Sequence, residues 1–138
     1  MSASPNFFIT PRTAGVNSSG SANSVKTLAG ANNTVAVIAG SANGSTIERV
    51  TVVQNGTGAS TANNICRFYI YDGTSYYLVH EVNMGGSVTP SATVLGARIF
   101  VPELVGEKLP SASYVLHVGF SAAAAGDTYT IKATVADL

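Results

Sequence analysis

After Asn32 the chain is cut at nearly regular intervals by clusters of Gly, Asn, Ser and Pro, and the runs between them are short and rich in β-branched and aromatic residues. No window carries apolar residues at helical spacing over three turns. This punctuation confines the chain to an all-β sandwich or barrel. The predicted strands are residues 34–39, 46–54, 65–71, 76–82, 97–101, 114–120 and 128–135, and one or two N-terminal pieces bring the total to eight or nine. Ala122 to Ala125 is a strong local helix former, but four residues cannot nucleate a stable helix. Gly126-Asp127 closes the stretch, so a loop or a single turn is expected there.

Alternation within the runs assigns faces, because successive side chains of a strand point to opposite sides of the sheet. Cys66, Phe68 and Ile70 form a core row, with Arg67, Tyr69 and Tyr71 opposite. Tyr114, Leu116, Val118 and Phe120 oppose Val115, His117 and Gly119, and Tyr129, Ile131, Ala133 and Val135 oppose Thr130, Lys132 and Thr134. Apolar rows backed by mixed or polar ones imply antiparallel sheets buried on one side. The period breaks between Ile47 and Val50, which predicts a bulge near Glu48-Arg49. Tyr71-Asp72-Gly73-Thr74-Ser75-Tyr76 joins two alternating runs through turn-forming residues and reads as a hairpin.

A chain of 138 residues is the size of one domain. Residues 1–31 read as an N-terminal arm or loop and residues 32–138 as the β domain. The text from Thr13 to Ala31 is small and polar, with only Val25 to Leu28 suggesting a short strand. Ahead of it, Asn6-Phe7-Phe8-Ile9-Thr10 lies between Pro5 and Pro11, and fits either an edge strand or an anchor that docks on a neighbouring chain.

Charged residues make up 10% of the chain and balance at seven of each sign, against about 25% in an average domain. A sparsely charged, neutral surface protects poorly against association, so identical copies or a larger partner are expected to cover part of it. The scattered basic residues offer no footprint for phosphate backbones, which argues against nucleic acid. The N-terminus lacks the basic and apolar regions of a secretory signal, and no apolar run approaches the roughly 18 residues of a membrane helix. A soluble protein made in a cytoplasm, with no membrane partner, is expected. The single Cys66, inside a strand-like run, reads as a small buried hydrophobe.

No spacing in the chain organises chemistry. His80 and Glu81 are neighbours in a strand and point apart, and His117 lies on another strand. HxxxH, CxxC, HxH and GxSxG patterns are missing from the sequence. Glu103 and Glu107 are separated by Gly106 and preceded by Pro102, which leaves them without a common helical face. Gly56-Thr57-Gly58 lacks the lysine and helix of a phosphate loop. The Asn-X-Ser/Thr triplets at Asn17, Asn32, Asn43 and Asn55 read as turn chemistry. The expectation is therefore no enzyme, no metal and no cofactor.

The order of several phrases carries a resemblance. Ile47-Glu48-Arg49-Val50-Thr51-Val52, ending at Asn55-Gly56-Thr57, precedes Arg67-Phe68-Tyr69-Ile70-Tyr71-Asp72-Gly73. Leu78, Glu81-Val82, Val88-Thr89-Pro90-Ser91-Ala92-Thr93 and Lys108-Leu109-Pro110 follow. Over about residues 46–138 this series resembles the small β-sandwich structural proteins of tailed-bacteriophage virions, particularly capsid decoration or cement proteins. The resemblance implies a jelly-roll-like antiparallel sandwich, assembly as a homotrimer, the major capsid protein as partner, and a place on the outer surface of the head. On that basis Phe7, Phe8 and Ile9 are the expected gripping arm, and Tyr69, Tyr71 and Tyr77 the expected interface tyrosines. The rival expectation is a tail-fibre, baseplate or other carbohydrate- or receptor-binding sandwich, in which aromatic residues stack on sugars.

Overall fold

The computed structural model describes residues 9–17, 23, 34–56, 64–84, 90–121 and 128–138. Among the described residues there are nine strands: β1 (Thr10–Asn17), β2 (Val35–Ala39), β3 (Ser45–Gln54), β4 (Ile65–Tyr71), β5 (Tyr76–Asn83), β6 (Arg98–Phe100), β7 (Lys108–Leu109), β8 (Val115–Phe120) and β9 (Tyr129–Asp137). One 3-10 turn, Pro102–Leu104, lies between β6 and β7.

All pairings are antiparallel. One sheet has the order β1-β9-β3-β6, with β7 paired to the start of β3, and the other has the order β2-β8-β4-β5. Setting the two-residue β7 aside, the pairs β1·β9, β2·β8, β3·β6 and β4·β5 nest like the rungs of one long hairpin. Rolling that hairpin about a common core places its rungs alternately in the two sheets, which is the jelly roll. The expected antiparallel sandwich is therefore what forms.

The core combines the inward rows that alternation marked out in β4, β8 and β9 with a row of β3 that the broken period left unassigned. Cys66, Phe68 and Ile70 of β4, with Leu116, Val118 and Phe120 of β8, face Ile47, Val50 and Val52 of β3 and Ile131, Ala133 and Val135 of β9. Phe120 stacks on Tyr129 across the sandwich, with ring centroids 4.6 Å apart. Leu104 of the 3-10 turn is fully buried and joins this core from the β5–β6 side, where Glu103 lies 3.5 Å from His80. Cys66 is buried, and burial pushes its thiol far above the usual range, so it packs as a hydrophobe.

The bulge falls where the period broke. In the β3·β9 register Ile47 faces Val135 and Arg49 faces Thr134, so Glu48 is the extra residue, and Glu48 and Arg49 are both exposed. A further irregularity at Val37 lets two consecutive residues of β2, Val37 and Ile38, be buried.

Two expectations need correction. Residues 13–17 are not loop: the whole of Thr10–Asn17 pairs with β9, residue by residue, from Thr10 opposite Asp137 to Asn17 opposite Thr130. Pro11 and Gly15 weakened the strand signal, but β1 is an edge strand, where a missing N–H is tolerated. Its half-buried residues Arg12, Ala14 and Val16 do alternate. The second correction concerns the outer face of β4. Arg67 and Tyr69 lie opposite the core row, as alternation required, yet both are buried. Asn23 lies over them: its side-chain amide donates to Tyr69 Oη at 3.2 Å, and its carbonyl accepts from Arg67 Nη1 at 3.0 Å. Gly119 is what lets this cover approach. A Cβ there would stand 3.0 Å from Asn23 Nδ2 and 3.3 Å from Thr34 Cγ2. The suggested strand at Val25 to Leu28 and the Ala122 to Ala125 stretch lie outside the described residues.

Candidate interaction site

Of the residues expected to make contacts, Phe7 and Phe8 lie outside the described residues. Ile9, 58% exposed, leads into β1 at the end of the sheet where Thr10 pairs with Asp137. Leu138, also 58% exposed, follows Asp137 there. Tyr69 is fully buried, so the expectation that it meets a partner at the surface is corrected. Tyr77 is 55% exposed on the edge strand β5.

Tyr71 belongs to an aromatic cluster on the outer face of the β2-β8-β4-β5 sheet. It is stacked on its cross-strand neighbour Tyr76 at 4.4 Å, and the ring of His117 meets both edge-on at 5.7 and 5.2 Å. His117 Nδ1 also shares a 3.2 Å hydrogen bond with Thr34 Oγ1. The ring faces are thus largely taken up by one another, and burial pushes the imidazole below its ordinary titration range. The hairpin beneath is fixed by Asp72, whose carboxylate accepts from the backbone N–H of Thr74 at 2.8 Å and of Ser75 at 2.7 Å. Gly73 adopts φ +98° there, and the two donors hold the Asp72 carboxyl below its usual range.

The other outer face is different. Register places Lys132, Thr51 and Phe100 side by side across β9, β3 and β6. Arg49 lies opposite Thr134 one step along, and Arg98 opposite Val53 one step the other way. Arg49, Arg98 and Lys132 are exposed, and the Arg49 guanidinium sits 5.6 Å from the centroid of the Phe100 ring, itself 47% exposed. Two shallow hollows of about 270 and 300 Å³ adjoin along this face. Arg49, Thr51, Lys132 and Thr134 line one; the other shares Arg49 and Thr51 and extends to Arg98 and Phe100. The sequence showed these cations as scattered, since only the sheet order brings them together.

A third feature is apolar. Val94, Leu95, Phe100 and Val105 are all exposed, Leu95 by 78%, in the stretch that carries the edge strand β6 and the 3-10 turn. Tyr77 and Leu78 are exposed on the opposite edge strand, β5. None of the four in the first group was singled out from the sequence, because an apolar residue near a strand end gives no local sign of lacking cover.

Among the described residues no three His, Cys, Asp or Glu side chains are grouped to hold a metal ion, and no helix is long and apolar enough to cross a membrane. No protein-family model and no curated protein matches the chain. Among solved structures it is similar to the VP2 subviral particle of infectious bursal disease virus, with a TM-score of 0.36 and 12% identity. It is also similar to the Gt strain structure of the same virus, with a TM-score of 0.39 and 12% identity. In both cases 99% of this chain is covered and 36% of the other, so the chain spans about a third of the length of those it matches. The strand order itself defines the fold.

Proposed function

We propose that this chain is a non-catalytic virion structural module that decorates the outer surface of a bacteriophage head as a homotrimer. The observation that carries the reading is a set of exposed apolar side chains flanking β6 and the 3-10 turn, the rim residues Val94, Leu95 and Val105, on a chain with few charges to keep copies apart. The jelly roll agrees with it, being a fold used by viral capsid and lectin domains, and the phrase-level resemblance to decoration proteins points the same way. In this reading the rim meets identical copies, and Phe7, Phe8 and Ile9 grip the major capsid protein. A protein that binds the assembled shell and not its separated subunits stabilises the shell by mass action, by about 2.7 kcal/mol at a hundredfold excess over Kd. Three linked copies raise effective concentration, so weak single contacts suffice.

The test is occupancy on heads of the virus that encodes the chain, read by co-sedimentation and by micrographs of particles with and without it. Residues 1–8 are the right deletion for the arm, because a longer cut would remove Thr10–Asn17 from its sheet. The truncated protein should keep its thermal midpoint and lose occupancy. Labelling confined to the tail would instead favour the receptor- or carbohydrate-binding reading, which the mutual stacking of Tyr71 and Tyr76 makes second.

A further inference from the structure

We infer that the outer face of the β1-β9-β3-β6 sheet is a docking surface for an acidic protein segment, with Arg49, Arg98 and Lys132 as its carboxylate-binding groups. The inference deepens the adhesive reading above by naming a surface and the chemistry it recognises.

The first argument is where the cations are spent. Arg12 is paired with Asp137, Arg67 with Glu81, and Lys108 Nζ donates to Thr46 Oγ1. Of the remaining described cations, Arg49, Arg98 and Lys132, none forms an ion pair among the described residues, and all three project from neighbouring strands of one face. Gathering like charges on a surface without counter-charges is unfavourable unless something of opposite sign completes it. Glu48, extruded by the bulge, is the acid next in sequence, but it lines neither hollow.

The second argument is shape. The hollows adjoin through Arg49 and Thr51 to make a shallow trough across three strands. Thr51 and Thr134 line it with hydroxyls, and Phe100 supplies an exposed aromatic floor beneath Arg49. Arginine and aromatic residues are both enriched at protein interfaces. Guanidinium forks match carboxylates in bidentate fashion. A flat face with cations spread over three strands suits an extended segment carrying several Asp or Glu residues better than a single small anion.

The experiment uses the full chain and a fluorescein-labelled octaglutamate peptide, followed by anisotropy at low and physiological salt, with a sulfated oligosaccharide of matched charge in a parallel arm. The peptide should bind in a salt-dependent manner. The Arg49→Gln/Arg98→Gln double variant should bind at least about fivefold more weakly, in keeping with two exposed charge contacts. Thr134→Asp, which sets a negative charge in the trough, should weaken binding similarly, while Lys108→Gln should not. Circular dichroism melts should be unchanged in all of them. Failure of the peptide to bind, equal loss in Lys108→Gln, or binding of the oligosaccharide alone would overturn the inference. Head occupancy of the double variant separates the two readings. Undiminished occupancy sinks this surface and leaves the decoration role standing. Peptide binding by a chain that never associates with heads does the reverse.

Discussion

At the scale of single residues, the sandwich depends on a few side chains with no room to move. Phe68 is fully buried at the centre of β4, so Phe68→Ala removes a ring and leaves a cavity between two sheets that cannot fully close. The expected loss is about 3–5 kcal/mol, a large part of the stability of an ordinary domain, measurable from urea unfolding curves followed by tyrosine fluorescence. Gly40 is held by contact rather than by conformation: a Cβ there would run into the Ser111 carbonyl oxygen and stand 2.8 Å from that of Leu109. Both obstacles are backbone, so Gly40→Ala should destabilise by roughly 1–3 kcal/mol in the same assay. His117 sets a pH dependence. Burial keeps its folded pKa below the ordinary 6.5, so as pH falls through that region the unfolded chain takes up the proton first. The contribution is therefore intact above about pH 6.5 and is lost progressively on acidification. Unfolding free energies at pH 7.5 and 5.5 should show the drop, and His117→Gln should flatten it.

At the scale of elements, the least expected strand is tied in at its start. Arg12 of β1 donates from Nε to Asp137 Oδ2 at 2.8 Å and from Nη2 to the Ala39 carbonyl at 2.6 Å, so one side chain joins β1, β9 and the far sheet's β2. Ser45 Oγ donates to the same aspartate at 2.5 Å, and these partners hold the Asp137 carboxyl below its usual range. The Arg12 side chain is 38% exposed, so solvent screening limits the ion pair to under about 1 kcal/mol. The effect should be local rather than global. Arg12→Gln should raise amide hydrogen exchange across residues 12–17 by up to about fivefold and leave the centre of β9 unchanged, because an edge strand can open without the core. A uniform rise through both sheets would contradict this picture of β1.

For the whole molecule, the two outer faces and the rim divide the surface. One face is closed by Asn23 and by the Tyr71–Tyr76–His117 cluster. The other presents unpaired cations, and the β5–β6 side presents apolar side chains. If the rim joins copies, a 14.0 kDa chain should sediment at about three times its mass at concentrations near those on a particle. Leu95→Asp with Val105→Asp should return it to the monomer without lowering the monomer's thermal midpoint, since both positions are exposed. A monomer at every concentration would remove the rim from the assembly.

The amino-acid order alone determined the class of fold, the membership of most strands and the side each residue takes, because a two-residue period is a local property that neighbours along the chain impose on one another. Hence the core row Cys66–Phe68–Ile70, the Asp72-Gly73 reversal and the bulge at Glu48 were all legible. Strand β1 was not, because Pro11, Gly15 and small residues carry little propensity and β9 supplies what they lack. Adjacency between strands was beyond reach as well. Only the rolled hairpin sets β9, β3 and β6 side by side, turning three scattered cations into one surface, and the long-range approach of Asn23 contributes to the burial of Tyr69. Which side of a strand a residue faces is settled by its own backbone; what stands across from it is settled by chain segments far away in sequence, through packing that no local pattern records.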